Sequence, residues 1–261
     1  MAVEIKTASE IEQMRQSNRR IGIVLDYLQS LIRPGISTKE IDRKCIDKIR
    51  ELGGEPNFLH YEGYPASVCV SVNDEVVHGI PKDERILQEG DIVSLDTGMV
   101  YKGWHSDAAR TFAVGKVSRK DSELIRATRQ SFFEGLTMAK AGNHLNDISS
   151  AIGNYALALG YGVIRDLCGH GIGRQMHEDP DVMNFAQEKE GLYLVPGMTL
   201  AIEPMLTAGT EKIRWMDDGW TVKTEDGSRA AHYENTILIT ESEPEILSAT
   251  ADLMAPETKM C

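Results

Sequence analysis

The sequence is poor in cysteine, has fewer basic than acidic residues and contains no apolar run of membrane-spanning length. Lysine and arginine total 28 against 40 acidic residues, for a formal net charge of −12, so most of the surface would repel a phosphate backbone. The N-terminal residues show no basic segment followed by an apolar one, as a secretory signal requires. We therefore expect a cytoplasmic monomer without nucleic-acid or membrane partners.

The few cysteines exclude two further classes of protein. They stand far apart and form no CxxC pair, which argues against a disulfide framework and against a thiolate zinc site. We interpret them as reduced thiols: Cys45, Cys69, Cys168 and Cys261. The sequence also lacks a Pro/Ser-rich linker or low-complexity tract, so residues 1–261 are expected to form a single domain.

Capping signals and helical spacing of apolar residues predict two helical hairpins. Thr7 and Ser9 each precede a glutamate by three residues, and Ser37 and Ser118 show the same pattern with Glu40 and Asp121. The predicted helices end near Ile32, at Gly53-Gly54, before Ala141-Gly142 and, for a helix over residues 146–159, at Gly160.

A faint internal repeat relates the two hairpins. Shifting the sequence by 107 positions aligns identical residues from the helices to a later strand: Gly35 with Gly142, Ile41 with Ile148, Leu52 with Leu159, Gly53 with Gly160, Leu87 with Leu194 and Gly90 with Gly197. We interpret this as two halves of about 1–115 and 116–250, related by a pseudo-two-fold axis, each with a helical hairpin and a strand hairpin. A chance alignment of common residues is the alternative.

The repeat also aligns acidic residues. Asp96 ends the apolar run DIVSLD, Glu203 ends MTLAIE, and we place both at strand ends, with Asp107 and Glu234 on the returning strands. Four converging carboxylates stay ionised only if their charge is compensated, and two divalent cations would neutralise them. Solvated surface acids are the alternative, since the sequence holds 40 acidic residues.

Three of the seven histidines stand in unusual surroundings. His170 lies between glycines in CGHGIG, His177 begins HEDP, and in VVHGIP an apolar strand ends in His78-Gly79. Flanking glycines let the backbone pack closely around an imidazole, and one imidazole among carboxylates would favour Mn, Fe, Co or Zn. A satisfied core histidine is the alternative for each. His60 and His144 lie among polar or turn residues and are expected near the surface.

These motifs closely resemble the type I methionine aminopeptidases, which have the pita-bread fold. The resemblance covers essentially the whole chain, including HYEGYP and SVCVSVNDEVVHGIP as well as GHGIG, HEDP, IEPM and YENT. It implies an α+β fold whose two halves surround a central dinuclear metal site. It also implies the metal ligands Asp96, Asp107, His170, Glu203 and Glu234.

The resemblance implies further site residues. His78 and His177 correspond to groups near the scissile bond that do not bind metal, and Tyr61, Tyr64, Cys69 and Trp220 correspond to positions lining the methionine pocket. Phe58 and Met176 stand in that pocket where some relatives carry cysteine and phenylalanine. The sequence also has Asp96-Thr97-Gly98 where some relatives carry a threonine two residues after the first ligand.

The implied reaction is removal of the initiator methionine from nascent proteins and peptides, with a preference for small second residues. Two ions of Co, Mn, Fe or Zn would share a water and present it as a bridging hydroxide to the scissile carbonyl. Glu203 is our candidate general acid and base, and His78 and His177 would divide the remaining work.

Two other functions fit parts of this pattern. One is an Xaa-Pro-directed peptidase with the same fold and ligands, although such enzymes usually carry a large extra N-terminal domain. The other is a pita-bread module that binds peptides or proteins without catalysis, against which the five intact ligand positions count.

Overall fold

A computed structural model describes residues 3–254 and shows an α+β fold. Its helices agree closely with the predicted ones: α1 Ala8–Leu31, α2 Thr38–Glu51, α3 Arg119–Met138, α4 Leu145–Ala158 and a short α5 Ala251–Met254. A 3₁₀ turn covers Tyr61–Gly63.

Side-chain caps begin the helices at the predicted places, with two corrections. Thr7 forms a capping box with Glu10, whereas Ser9 lies inside α1 and caps nothing. The Ser37 and Ser118 hydroxyls each accept a hydrogen bond from the backbone amide three residues later. His144 forms the capping box of α4, which therefore begins one residue earlier than predicted.

The described residues contain fifteen strands: β1 Glu55–Pro56, β2 Val68–Val72, β3 Glu75–Val77, β4 Ile92–Tyr101, β5 Trp104–Ala113, β6 Gly162–Val163, β7 Gly169–Gly171, β8 Glu178–Val182, β9 Thr199–Ile202, β10 Met205–Thr207, β11 Ile213–Trp215, β12 Val222–Thr224, β13 Ala230–His232, β14 Asn235–Leu238 and β15 Glu245–Ile246. The first half builds a sheet in the order β1-β4-β2 with β5 beside β4, and the second builds β15-β14-β9-β7-β8. Two three-stranded sheets, β13-β10-β6 and β11-β12-β3, complete the fold.

Backbone hydrogen bonds reproduce the 107-residue repeat. The amide of Gly35 donates to Leu87 O at 2.8 Å, and the amide of Gly142 donates to Leu194 O at 2.9 Å. The two glycines have φ of +90° and +91°, a left-handed conformation that favours glycine. The two halves of the predicted pita-bread fold thus share local geometry as well as sequence. The boundary near residue 115 stays a prediction.

Strand alternation directs the acids away from the helices. Val93 and Leu95 of β4 pack in the same core cluster as α1 and α2, whereas Asp96 points to the other face of the strand. In the second half, Leu200 and Ile202 pack with the residues of α3 and α4, and Glu203 follows on the opposite side. The helices therefore cover one face of each sheet, and the acids share the other.

Asp96 is not at a strand end, contrary to our prediction. It lies in the middle of β4, paired with Cys69 on β2 and Ala109 on β5, because the ladder continues to Tyr101. Glu203 does follow the last residue of β9. The apolar run before each acid signals burial, whereas the length of a strand depends on its partners.

The second strand hairpin contains a long excursion, the segment with β10 to β13, that the first lacks. β9 pairs directly with β14, and β10 to β13 lie between them in sequence. Within residues 3–254, no helix combines the length and the apolar character needed to cross a membrane.

Candidate metal centre and active site

The five predicted metal ligands meet in one cavity of about 700 Å³. Ligand atoms of Asp107, His170 and Glu234 all lie within 4.8 Å of one another. The Nε2 atom of His170 is 3.6 Å from Glu203 Oε1, and the carboxyl groups of Asp96 and Asp107 interact directly. The fold therefore brings together all five side chains, which come from β4, β5, β7 and the segments after β9 and β13.

Burial sets the charge state of the carboxyl groups in the protein alone. Removal from water raises the pKa of Asp96 to about 7. Burial also raises the pKa values of Asp107, Glu203 and Glu234 well above their usual range, and repulsion between these neighbours raises them further. The fold thus buries four carboxyl groups together, where their ionised forms are energetically unfavourable without a bound cation.

This ligand set fits divalent cations. Asp96 Oδ1, Asp107 Oδ1 and Glu234 Oε1 are buried and have no hydrogen-bond partner among the described residues. Buried polar atoms without partners are rare and indicate a missing ligand. Four carboxylates and one imidazole could together hold two divalent ions and balance their charge.

His170 is held in the form that binds a metal ion. Its Nδ1 atom donates to the carbonyl oxygen of Gly171 at 2.8 Å, which leaves Nε2 free as a ligand atom. Burial lowers the pKa of His170 to about 3, so the ring is neutral at physiological pH.

Glycines on both sides of His170 permit the close packing that the sequence indicated. A Cβ atom at Gly169 would clash with the carbonyl oxygen of Ala201 on β9, and one at Gly171 would clash with that of Asp179. Both contacts are with backbone, so a side chain could not be accommodated by a rotamer change.

We expect Gly169→Ala to lower the free energy of unfolding by about 1–3 kcal/mol and to reduce activity at least tenfold, because β7 and its ligand histidine must shift. Denaturant unfolding and steady-state assays measure both effects. Gly35→Ala is the matched comparison: nothing lies within 4 Å of its Cβ position, and its cost comes from the φ of +90°. This variant should lose stability but keep its activity, and the same loss of activity in both variants would contradict the explanation.

The two other predicted histidines line the same cavity. His177 Nδ1 is 2.8 Å from the Tyr61 hydroxyl, and its ring centroid is 4.3 Å from that of His170. Burial lowers the pKa of His78 to about 4 and lowers that of His177 as well, so both rings are neutral near pH 7. The Nδ1 atom of His78 is buried without a hydrogen-bond partner among the described residues.

An apolar pocket adjoins the ligands. The residues predicted to bind methionine pack into one cluster with Ala66 and Ile80: Phe58, Tyr61, Tyr64, Cys69, Met176 and Trp220. Tyr64 contacts Trp220 edge to face at 5.1 Å, and its hydroxyl donates to Gly79 O at 2.9 Å. Half of the residues in this cluster are therefore aromatic, and Tyr64 is fixed by packing and by a hydrogen bond.

Sequence reasoning missed several residues at this site. His232 is 1% exposed, and its Nε2 lies 3.7 Å from Glu203 Oε2. Trp215, Met205 and Leu167 line the cavity itself; Met205 stands in the motif IEPM, whereas nothing local in the sequence marked Trp215 or Leu167. The histidines predicted near the surface do lie apart: His60 is an exposed turn residue, and His144 caps α4.

The cysteines agree with the predicted thiols as far as they are described. Cys45 and Cys69 are buried, Cys168 is half-buried, and all three are free. Cys261 lies outside the described residues.

Comparison with known proteins identifies the family. Residues 12–241 match metallopeptidase family M24. A methionine aminopeptidase of Clostridium acetobutylicum is 49% identical over 244 residues, which cover 94% of this chain and 98% of the relative. A crystal structure of methionine aminopeptidase from Thermotoga maritima is 43% identical with a TM-score of 0.93, over 95% of this chain and 99% of that chain.

A more distant relative has the same fold with additional sequence. An Xaa-Pro dipeptidase from Bacillus anthracis is 26% identical with a TM-score of 0.75, but the match covers only 62% of that chain against 94% of this one. The two full-length matches confirm the predicted resemblance and the pita-bread fold. The chain belongs to metallopeptidase family M24 and, within it, to the methionine aminopeptidases.

Proposed function

We propose that this protein removes the initiator methionine from nascent proteins and peptides with small second residues, as a monomer in the cytoplasm. One observation carries the proposal: a pocket lined by aromatic and sulfur-bearing side chains opens directly onto five converging ligands in a single cavity. The net charge of −12 supports a soluble monomer without nucleic-acid partners.

We infer that Asp96, Asp107, His170, Glu203 and Glu234 hold two divalent ions of Mn, Fe, Co or Zn. When bound, such ions lower the pKa of a coordinated water and polarise the scissile carbonyl group. Glu203 then accepts a proton from the attacking water and later donates it to the departing nitrogen. Its side chain is 14% exposed, lines the cavity and lies 3.6 Å from Nε2 of the ligand His170, which suits both transfers.

The two cavity histidines take different roles in this proposal. Nδ1 of His177 lies 2.8 Å from the Tyr61 hydroxyl, and in the tautomer in which Nδ1 accepts from that hydroxyl the ring proton is on Nε2, which can then donate to the developing oxyanion. His177 suits this role because its ring lies against that of His170. His78 is nearer the indoles of Trp215 and Trp220 and is assigned to the amide nitrogen.

The pocket explains the choice of methionine. Its walls are aromatic rings and the sulfur-bearing side chains of Cys69 and Met176, and thioether sulfur makes favourable contacts with such rings. A charged side chain would lose its hydration there without gaining a partner. Because the pocket opens onto the metal ligands, only a peptide whose first residue fills it places its first amide bond at the site.

The experiment that tests this proposal uses three short peptides. With Mn²⁺ present, the protein should release free methionine from Met-Ala-Ser, whereas Ala-Ala-Ser and Xaa-Pro peptides should be cleaved at least about a hundredfold more slowly. Chromatography of the released amino acid measures each rate. Preferential cleavage of Xaa-Pro peptides would favour the alternative peptidase. No cleavage with any divalent metal would favour a binding module.

A further inference from the structure

A second apolar group lines the cavity beside the methionine pocket. Val77, Leu167, Met205 and Trp215 face the cavity. The first three pack in a neighbouring core cluster, and none of the four belongs to the cluster around Tyr64. None of these four side chains takes part in the proposed reaction. Their position next to the reacting groups indicates that they contact another part of the substrate.

Trp215 is the most accessible member of this group. Its side chain is large and apolar, yet the residue is 56% exposed. It ends β11 on the excursion that the second half carries between β9 and β14. Exposure of an indole at the mouth of a site leaves apolar area that a ligand can cover.

The sheet fixes Trp215 relative to the reacting groups. Trp215 pairs with Val222 on β12, and Val222 pairs with Val77 on β3, so the three residues form a row across three strands. His78 follows Val77 directly, and its ring centroid is 6.4 Å from that of Trp215. Backbone pairing therefore holds the main chain of Trp215 beside β3, and from there its indole reaches the group assigned to the scissile amide.

In an extended peptide, which rises about 3.3 Å per residue, the Cα atom of the third residue lies about 5 Å beyond the first amide bond, so its side chain can span the 6.4 Å that separates the rings of His78 and Trp215. A substrate whose first side chain fills the aromatic pocket and whose amide meets His78 therefore carries its third side chain to the indole. We propose that Trp215 forms a subsite for the third residue of the substrate and favours apolar or aromatic side chains there. This inference rests on the proposed function.

The test compares kcat/KM for Met-Ala-Phe and Met-Ala-Ser. Contact between two aromatic rings should favour Met-Ala-Phe by about two- to tenfold in the unaltered protein. Trp215→Ala should bring the ratio close to one, whereas Trp215→Phe should keep most of it. Tyr193→Ala is the matched control, because Tyr193 is 62% exposed but does not line the cavity, and this variant should keep the full ratio.

The outcomes distinguish failure of the Trp215 subsite from failure of the proposed methionine removal. Equal rates on both peptides in the unaltered protein, or a ratio that survives Trp215→Ala, would overturn the subsite while leaving methionine removal intact. Absence of methionine release from both peptides would overturn the proposed function and the subsite together. A ratio lost in Trp215→Ala but kept in Trp215→Phe and Tyr193→Ala supports the subsite.

Discussion

Glu203→Gln is expected to lower kcat for methionine release from Met-Ala-Ser by about 10²- to 10⁴-fold, the range that positioned proton transfer contributes. The amide keeps the size of the side chain but can neither accept the proton of the attacking water nor return it to the leaving nitrogen. Burial and the neighbouring Asp96 and Asp107 raise the pKa of this carboxyl group in the metal-free protein, and bound cations would keep it ionised and able to accept a proton. Steady-state kinetics at saturating metal measure the loss.

Two measurements keep this prediction specific. Glu203 is proposed both to bind metal and to transfer a proton. Isothermal titration calorimetry gives the number of ions bound and their affinity, and so separates loss of an ion from loss of proton transfer. Glu211→Gln makes the same change at an exposed position on the same excursion and should leave kcat within about twofold. Near-normal turnover in Glu203→Gln would remove Glu203 from the chemistry.

The parts of this structure that depend on neighbouring residues could be predicted from the sequence. Ser37 and Ser118 begin helices because a hydroxyl satisfies a free amide within one turn. Gly35 and Gly142 end up in matching turns because both need a positive φ. The repeat then paired Asp96 with Glu203 without any knowledge of the fold.

The remaining features depend on contacts that are distant in sequence. The length of β4, and with it the mid-strand position of Asp96, follows from pairing with β2 and β5. Trp215 reaches the cavity because a separate sheet places β11 beside it, and His232 reaches Glu203 because β13 belongs to another sheet. No local periodicity or helix cap encodes such placements. The ligand residues could therefore be predicted from the sequence, whereas Trp215 and His232 could not.

Removing the divalent metal is expected to stop methionine release and to destabilise the fold, more strongly as the pH rises. In the metal-free protein the carboxyl pKa values are raised, to about 7 for Asp96, so between the usual aspartate value of 3.8 and pH 7 the folded state binds more protons than the unfolded state. Its free energy of unfolding therefore falls as the pH increases through this window. Bound cations remove the penalty by neutralising the ionised groups.

Thermal unfolding at pH 5, 6 and 7.5, with EDTA or with excess Mn²⁺, measures the difference. One ion at 100 to 1,000 times its Kd adds about 2.7–4.1 kcal/mol to the free energy of unfolding. The gap in stability between the protein with Mn²⁺ and the protein with EDTA should widen from pH 5 to pH 7.5, because protons compete less with the metal at higher pH. Asp107→Asn should narrow the gap, whereas the same change at exposed Asp217 should not. Equal stabilities with and without metal at every pH would mean that the fold tolerates four buried acids unaided, and the five side chains would then lose their interpretation as a metal centre.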